Sequence, residues 1–325
     1  MPNPGALRFN IDSNKLELYD GNQWTEIVAS SPDSQTGGAR GVFGGGYLAP
    51  SYQNVIDYVT ISTTGNAIDF GDLTFLVYES PAVASSTRGV WCGGESPTLN
   101  NTIAYVTISS TGNAIDFGDR TTTVRMQGAC SNATRGVIGG GFSETNIIDY
   151  ITISATGNAV DFGDLTVARR YPSACASSTR GVFAGGTVPG SLVNTIDFIT
   201  IASTGNAADF GDLTGTRFRS GSGSNSTRGL FAGGYAPTTS NSIDYVTIAT
   251  LGNAVDFGDL TVARLYPSGA ASPTRCIFGG GYGTPASRNT IDYVTISTQG
   301  NAVDFGDSTT TRAGTGACSN GHGGL

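Results

Sequence analysis

Arg40-Gly-Val-Phe-Gly-Gly-Gly46, Asn54-Val-Ile-Asp-Tyr-Val-Thr-Ile61 and Gly65-Asn-Ala-Ile-Asp-Phe-Gly-Asp72 make up a unit that this chain writes six times. Versions of the first string begin at Arg88, Arg135, Arg180, Arg228 and Arg275, separated by 48, 47, 45, 48 and 47 residues. The third string closes again at Asp119, Asp164, Asp212, Asp259 and Asp307. A fixed period of this size marks a repeat architecture, in which each copy is one supersecondary unit that must lean on its neighbours to bury an apolar face.

Each repeat holds four strand-sized pieces. In the fourth copy they are Ser173 to Ala176, Gly181 to Phe183, Thr195 to Ile201 and Ala207 to Phe210. Ser203-Thr-Gly-Asn206 reads as the tight hairpin turn between the last two, with Gly205 free to take positive φ. The Gly-Gly ending the second piece marks a bulge or a close approach of backbones. Four short antiparallel strands per repeat describe the blade of a β-propeller. A solenoid would need atypical polar caps at both ends. Here the first repeat opens at Arg40 without an inner strand, and Gly316-Ala-Cys-Ser-Asn320 at the other end matches the inner strand Gly128-Ala-Cys-Ser-Asn132. The end of the chain thus supplies what the beginning lacks, which is how a ring closes and hides its edges. The expectation is an all-β, six-bladed propeller over 40–325, closed by the C-terminal strand. A linker over 31–39 and a small β-hairpin or meander module over 1–30 precede it.

Composition agrees. Among 325 residues there are 48 glycines, only 13% are charged, and no stretch holds a helical apolar period. The net charge of -8 argues against nucleic acid as a partner, since phosphate neutralisation needs clustered Lys and Arg. No apolar run is long enough to insert in a membrane and no signal peptide is evident, so synthesis in the cytoplasm is expected. Cys130, Cys175 and Cys318 share a repeat position with Val83, Gly223 and Ala270. Cysteine in place of small apolar residues points to packing and free thiols.

The Val-Phe-Gly-Gly-Gly strand, a following strand with an aromatic, and an Arg downstream of the fourth strand resemble kelch repeats from Arg40 onward. The resemblance implies a kelch-like propeller. The tryptophan that ends a kelch motif is missing, with Phe70 and its equivalents nearby, so blade packing should differ in detail.

Interval counting separates two ends of the repeats. Arg to the last Gly of the Gly run is always six residues, Asn to closing Asp always 18, and that Asp to the next Arg always 16. All length variation falls between the Gly run and the Asn, at 8, 7, 5, 8, 7 and 8 residues. The segment joining one blade to the next keeps its length but changes its residues, as in Phe75-Leu-Val-Tyr78 and Val167-Ala-Arg-Arg170. Both vary at one face, whereas the third-to-fourth turns hardly change. Varied loops on a constant scaffold are expected of a binding surface, and drift alone should have altered those turns as well. The varied face carries Tyr47, Tyr52, Tyr78, Arg125, Phe142, Arg170, Tyr171, Phe218, Arg219, Tyr235, Tyr266, Tyr282 and Arg288. Such aromatics stack on sugar rings or fill protein hot spots, and Arg forks onto carboxylates.

No catalytic residue, cofactor or metal site is expected. Asp69, Asp72 and their copies recur at one blade position, which implies turn capping or pairing with a repeated arginine. Arg88 and its equivalents should form ion pairs or carbonyl hydrogen bonds between strands. The only histidine, His322, lies in a Gly-rich tail with no orienting partner evident, so a nucleophile–histidine arrangement is disfavoured.

Residues 5 to 28 belong to no repeat. Gly5-Ala-Leu-Arg-Phe-Asn-Ile11, Lys15-Leu-Glu-Leu-Tyr19 and Trp24 to Val28 read as three strands, with Asp20-Gly21 as a turn. Leu7, Phe9, Leu16, Leu18 and Trp24 should form one apolar face in need of a partner. This segment resembles short N-terminal modules of tailed-phage virion proteins, especially marine and cyanobacterial phages, and the repeats are similar to those of phage structural proteins. The resemblance implies a tail-fibre or appendage protein of the virion, present in several copies. The module would bind other virion proteins, and the propeller face would meet a host-surface glycan or protein. Head decoration, neck or tail bracing without a receptor role, and action on polysaccharide are the other readings left open.

Overall fold

The computed structural model describes residues 2–3, 5–10, 15–26 and 38–325. The chain forms two compact units, Met1–Thr36 and Gly37–Leu325. The described residues are all-β: antiparallel sheets, turns and no helix. Most of the expected linker 31–39 lies outside the described residues.

In the first unit, Leu7–Asn10, Lys15–Tyr19 and Trp24–Glu26 pair in chain order. The register sets Leu7 opposite Leu18 and Arg8 opposite Glu17. Trp24 lies opposite Tyr19. Neighbouring residues of a strand face opposite ways, so Leu18 and Tyr19 cannot share a face. Trp24 therefore stands with Tyr19 and Arg8, its ring 5.3 Å from Tyr19 and 4.3 Å below the Arg8 guanidinium. The expected single apolar face is corrected accordingly: Leu7 and Leu18 are exposed on one side and Trp24 belongs to the other. The side chains of Phe9 and Leu16 lie outside the described residues.

In the second unit the described residues form one main sheet per repeat, five of them four-stranded and the first with a short fifth strand. The fourth sheet, for example, runs Ser173–Ala176, Arg180–Ala184, Thr195–Thr200 and Ala208–Asp212, each strand paired with the next. In the first sheet the first strand is Gly316–Ser319, paired with Arg40–Gly44 so that Gly316 faces Gly44 and Cys318 faces Val42. Ser51–Thr60, Ile68–Val77 and the short Tyr47–Leu48, which pairs with Ser51–Thr60, complete it. The C-terminal segment thus takes the place its sequence match assigns.

Sheets adjacent in the chain pack face to face. Six apolar clusters fill the spaces; one joins Val42, Ile56 and Phe70 of the first sheet to Trp91 and Ile108 of the second. Another joins Phe43, Val59 and Ile61 of the first sheet to Ile277, Ile291 and Phe305 of the sixth. The first strands of neighbouring sheets lie side by side, tied by Ser131 Oγ to Ala84 O at 2.8 Å and Ser224 Oγ to Ala176 O at 2.7 Å. Gly316–Ser319 likewise contacts both Ala82–Ala84 and Ser268–Ala271.

Two arginine sets stitch the sheets together. Arg40, Arg88, Arg135, Arg180, Arg228 and Arg275 each donate to a carbonyl at the end of the third strand of the next sheet: Ile108, Ile153, Ile201, Ile248, Ile296 and, from the sixth sheet, Ile61. Each guanidinium also lies over the aromatic ring of its own third strand, as Arg88 does over Tyr105 at 4.5 Å. Carbonyl bonding is thus the role of this set.

The ion pairs fall elsewhere. Asp57, Asp149, Asp197, Asp244 and Asp292, fully buried in third strands, pair with Arg312, Arg120, Arg169, Arg217 and Arg264 of the preceding sheet's connecting segment at 2.7–3.0 Å. A threonine hydroxyl completes each carboxylate, such as Thr214 to Asp244 at 2.8 Å. Asp69 and its copies instead point to solvent, which corrects the expected pairing of that aspartate with a repeated arginine.

The third-to-fourth connection is longer than a two-residue hairpin: pairing stops at Phe198 and Ala208, and 201–207 reaches over the preceding sheet. There Gly205 N–H donates to Phe162 O, Ala207 N–H donates to Asp164 O, and Asn206 Oδ1 accepts from Asp164 N–H. The facing glycine, Gly163, has φ 144°, and a Cβ there would meet Gly205 O at 2.5 Å. The constancy of this turn is therefore a packing demand, repeated in every sheet. It does not measure drift.

Candidate functional site at the varied end

The two varied segments meet at one end of the sheets. The segment after each fourth strand pairs by short bridges with the second-to-third loop of the next sheet: Tyr78 with Glu95, Arg170 with Thr187, Phe218 with Tyr235, Leu265 with Tyr282, and Ala313 with Tyr47. Between the second and third sheets, Phe142 N–H donates to Arg125 O.

Seven rings form a continuous run across this end. Tyr52, Tyr47, Tyr78, Tyr266, Tyr171, Phe218 and Tyr235 follow one another with centroids 5.5–5.9 Å apart. All seven were candidates from sequence. Tyr282 hydrogen-bonds Pro285 O within its own loop at 3.4 Å, and Arg288 is half-buried beside that loop; neither joins the run.

A residue missed by the sequence reading sits at the middle. Glu79, Met126, Tyr171, Arg219, Tyr266 and Gly314 occupy the same repeat position, seven after the closing Asp, and all have φ between 55° and 69°. Five side chains in a left-handed backbone carry a cost that the surrounding structure must impose. They converge: Glu79 Oε1 accepts from Tyr171 OH at 3.0 Å and Tyr266 OH at 2.5 Å, and Arg219 Nη2 donates to Tyr171 OH at 2.8 Å. The Arg219 guanidinium lies within 5.0 Å of the rings of Tyr171, Phe218 and Tyr266. Gly314 leaves room for the Tyr78 ring, which presses where a Cβ would stand. Burial, and then the adjacent Glu79 charge, push the hydroxyls of Tyr78, Tyr171 and Tyr266 above the usual tyrosine range. Burial alone would lower Arg219, but the Tyr266 and Tyr171 oxygens outweigh it and raise its pKa. Left-handed non-glycine residues leave no mark in sequence; only the shared repeat position could have singled them out.

This cluster caps one end of a cavity of about 190 Å³ lined by the first strands of all six sheets. Ser80 Oγ, Glu79 Oε2 and both amide atoms of Gln127 are buried at the cavity without a hydrogen-bond partner, although Glu79 Oε2 lies 3.8 Å from Arg125 Nε. At the other end stands His322. Its Nε2 lies 2.9 Å from Ala84 O and 3.3 Å from Ser131 Oγ, and its Nδ1 accepts from Gly324 N–H at 3.1 Å. An accepting Nδ1 fixes the neutral ring with its proton on Nε2. The expectation of a histidine without orienting partners is thus corrected. Burial lowers its pKa, against the opposing pull of Ala84 O.

Beside the aromatic run lies a second hollow, a cleft of about 450 Å³ between the third and fourth sheets. Its walls include Arg125, Phe142, Arg170, Phe218 and Arg219. Arg125 pairs with Glu95 and lies over the Phe142 ring at 5.2 Å. Arg170 is held by Thr187 Oγ1 at 3.0 Å and Glu144 at 3.3 Å. Among the described residues no group of three or more His, Cys, Asp or Glu is placed to hold a metal. The five cysteines are free and buried, with the thiols of Cys92, Cys130 and Cys318 pushed up to about 12 by burial.

No protein-family model matches this chain, and no curated protein is significantly similar to it.

Proposed function

We propose that the six sheets are the blades of a closed β-propeller and that the protein is a non-enzymatic display module binding a saccharide at its varied end. The observation that carries this reading is the run of seven rings at a single end, three of them under the Arg219 guanidinium, beside a cleft of ligand size. Aromatic faces pack on the apolar faces of sugar rings, and fixed Arg donors take their oxygens. A glycosidase would need two carboxyl groups facing each other across the substrate. The cleft wall has none.

In this reading the N-terminal meander attaches the propeller to a larger assembly through its exposed Leu7 and Leu18 face. The resemblance to tailed-phage virion proteins makes that assembly a virion and the saccharide a component of a host surface. The purified full chain, applied to an array of neutral and acidic glycans, should bind a defined subset, and Phe218→Ala should reduce that binding. Binding to no glycan, together with unimpaired adsorption of particles lacking the protein, would sink the proposal.

A second reading, head decoration or bracing between other virion proteins, has its own support. Ile68, Ile115, Val160, Val255 and Val303 are more than half exposed on the outermost strands. Such a repeated apolar rim suits lateral packing. Density of a neighbouring virion protein covering the varied end in a map of the particle would favour it.

A further inference from the structure

We infer that the cleft between the third and fourth sheets takes an acidic saccharide, seated against Phe142 and Phe218 with its anionic group on Arg125, Arg170 and Arg219. This inference rests on the saccharide-binding reading above and specifies its ligand.

The cleft arises from loop length. Five sheets carry a paired extension of their second and third strands over the varied end, such as Thr187–Val188 with Ser191–Leu192 in the fourth. The third sheet has the shortest interval, five residues from Gly141 to Asn146, and has no such extension among the described residues. Its loop turns back through Ser143 and Glu144, both with positive φ. The missing hairpin leaves the gap.

The ionisable side chains in the wall of that gap are all guanidiniums, apart from Tyr171. With a net charge of -8 overall, the cleft nonetheless has three guanidiniums and no carboxylate in its wall. Glu79, Glu95 and Glu144 contact Arg125 or Arg170 from outside the wall and occupy only some of their donors. A guanidinium has five N–H donors. Arg125 Nε stands 3.8 Å from Glu79 Oε2, beyond hydrogen-bond length, and Arg219 Nε is buried with no hydrogen-bond partner. Phe142 and Phe218 stack on these same two groups and hold their planes in place, so little side-chain freedom remains to be lost on binding. Fixed, incompletely paired guanidiniums beside two rings match a sugar bearing a carboxylate or a sulfate.

The test uses the full chain, with oligogalacturonate, dextran sulfate oligosaccharide and neutral dextran of matched length as probes. The expected result is binding of one or both acidic probes but not the neutral one, weakening as salt is raised. Carboxylate and sulfate preferences separate in the two acidic arms. Arg170→Gln, at a part-exposed position, should weaken binding about tenfold with an unchanged melting temperature, and Phe218→Ala should weaken it as well. Neutral dextran bound as tightly, sensitive to Phe218→Ala and indifferent to Arg170→Gln, would overturn the acidic ligand and leave the saccharide reading standing. Binding of polyglutamate with no saccharide bound on the array would overturn both. Silence toward both acidic probes, with neutral glycans bound on the array, would overturn this inference alone.

Discussion

Five of the six spaces between neighbouring sheets contain a buried Arg–Asp pair, and the space between the first and second sheets does not. There the arginine position is Val77 and the aspartate position Ala104, both without solvent exposure. The Phe of the second strand, seen in Phe43, Phe183, Phe231 and Phe278, is Trp91 at this point, packed on Gly44 and Gly316 and donating from Nε1 to Gly316 O at 3.1 Å. The space between the second and third sheets has a different solution: Arg120 reaches Asp149 from one residue after the closing Asp, while Val124 occupies the usual arginine site. Charge and partner are thus kept or lost together. That is the behaviour expected when a lone buried charge is far more costly than either the complete pair or an apolar replacement.

Breaking one side of a pair should have the largest effect. Asp197→Ala strands Arg169 and should cost about 3–5 kcal/mol in urea unfolding. Adding Arg169→Val copies the first space and should restore most of that loss; a double variant no more stable than the single would refute the comparison. Trp91→Phe removes volume and a hydrogen bond from the space that has no pair, with an expected loss of about 2 kcal/mol. Arg180→Ala, which removes part-exposed bonds to Ile248 O and Ala249 O and the stacking on Phe198, should cost about 1 kcal/mol.

The smallest effect at neutral pH concerns His322. Its folded pKa lies below the unfolded value of about 6.5. The unfolded chain therefore binds the proton first as pH falls. Stability from this residue is complete above about pH 6.5 and declines as pH drops through that value. His322→Gln should flatten this part of the stability–pH curve, and an unchanged curve would remove the residue from the account.

Legibility in the sequence followed from repetition. Strand positions, the match of Gly316–Ser319 to an inner strand, and the meeting of the two varied segments at one end all appear in several copies or in their spacing. Asp57 was passed over because third strands are buried on both faces, so alternation does not mark it, while the exposed Asp69 is just as regular. The joint loss of Asp and Arg at Ala104 and Val77 was the signal available. His322 has no copy in any repeat, and its partners come from the second and third sheets. The cleft was visible only as a short interval, since a gap is made by what neighbouring loops extend and not by its own residues.

The pairing of Gly316–Ser319 with Arg40–Gly44 also sets a schedule for synthesis. Arg40 N–H donates to the side-chain oxygen of Asn320, 280 positions later. At ribosomal speeds of about 5–20 residues per second, an early strand waits tens of seconds with one edge unpaired. Sheets two to five can assemble as they emerge, whereas the first must wait for Gly316–Ser319. On a crowded polysome, exposed waiting edges of neighbouring nascent chains could pair with each other. Slowing elongation ahead of Gly316 should therefore increase aggregation, and a circular permutant beginning at Gly316 should reduce it.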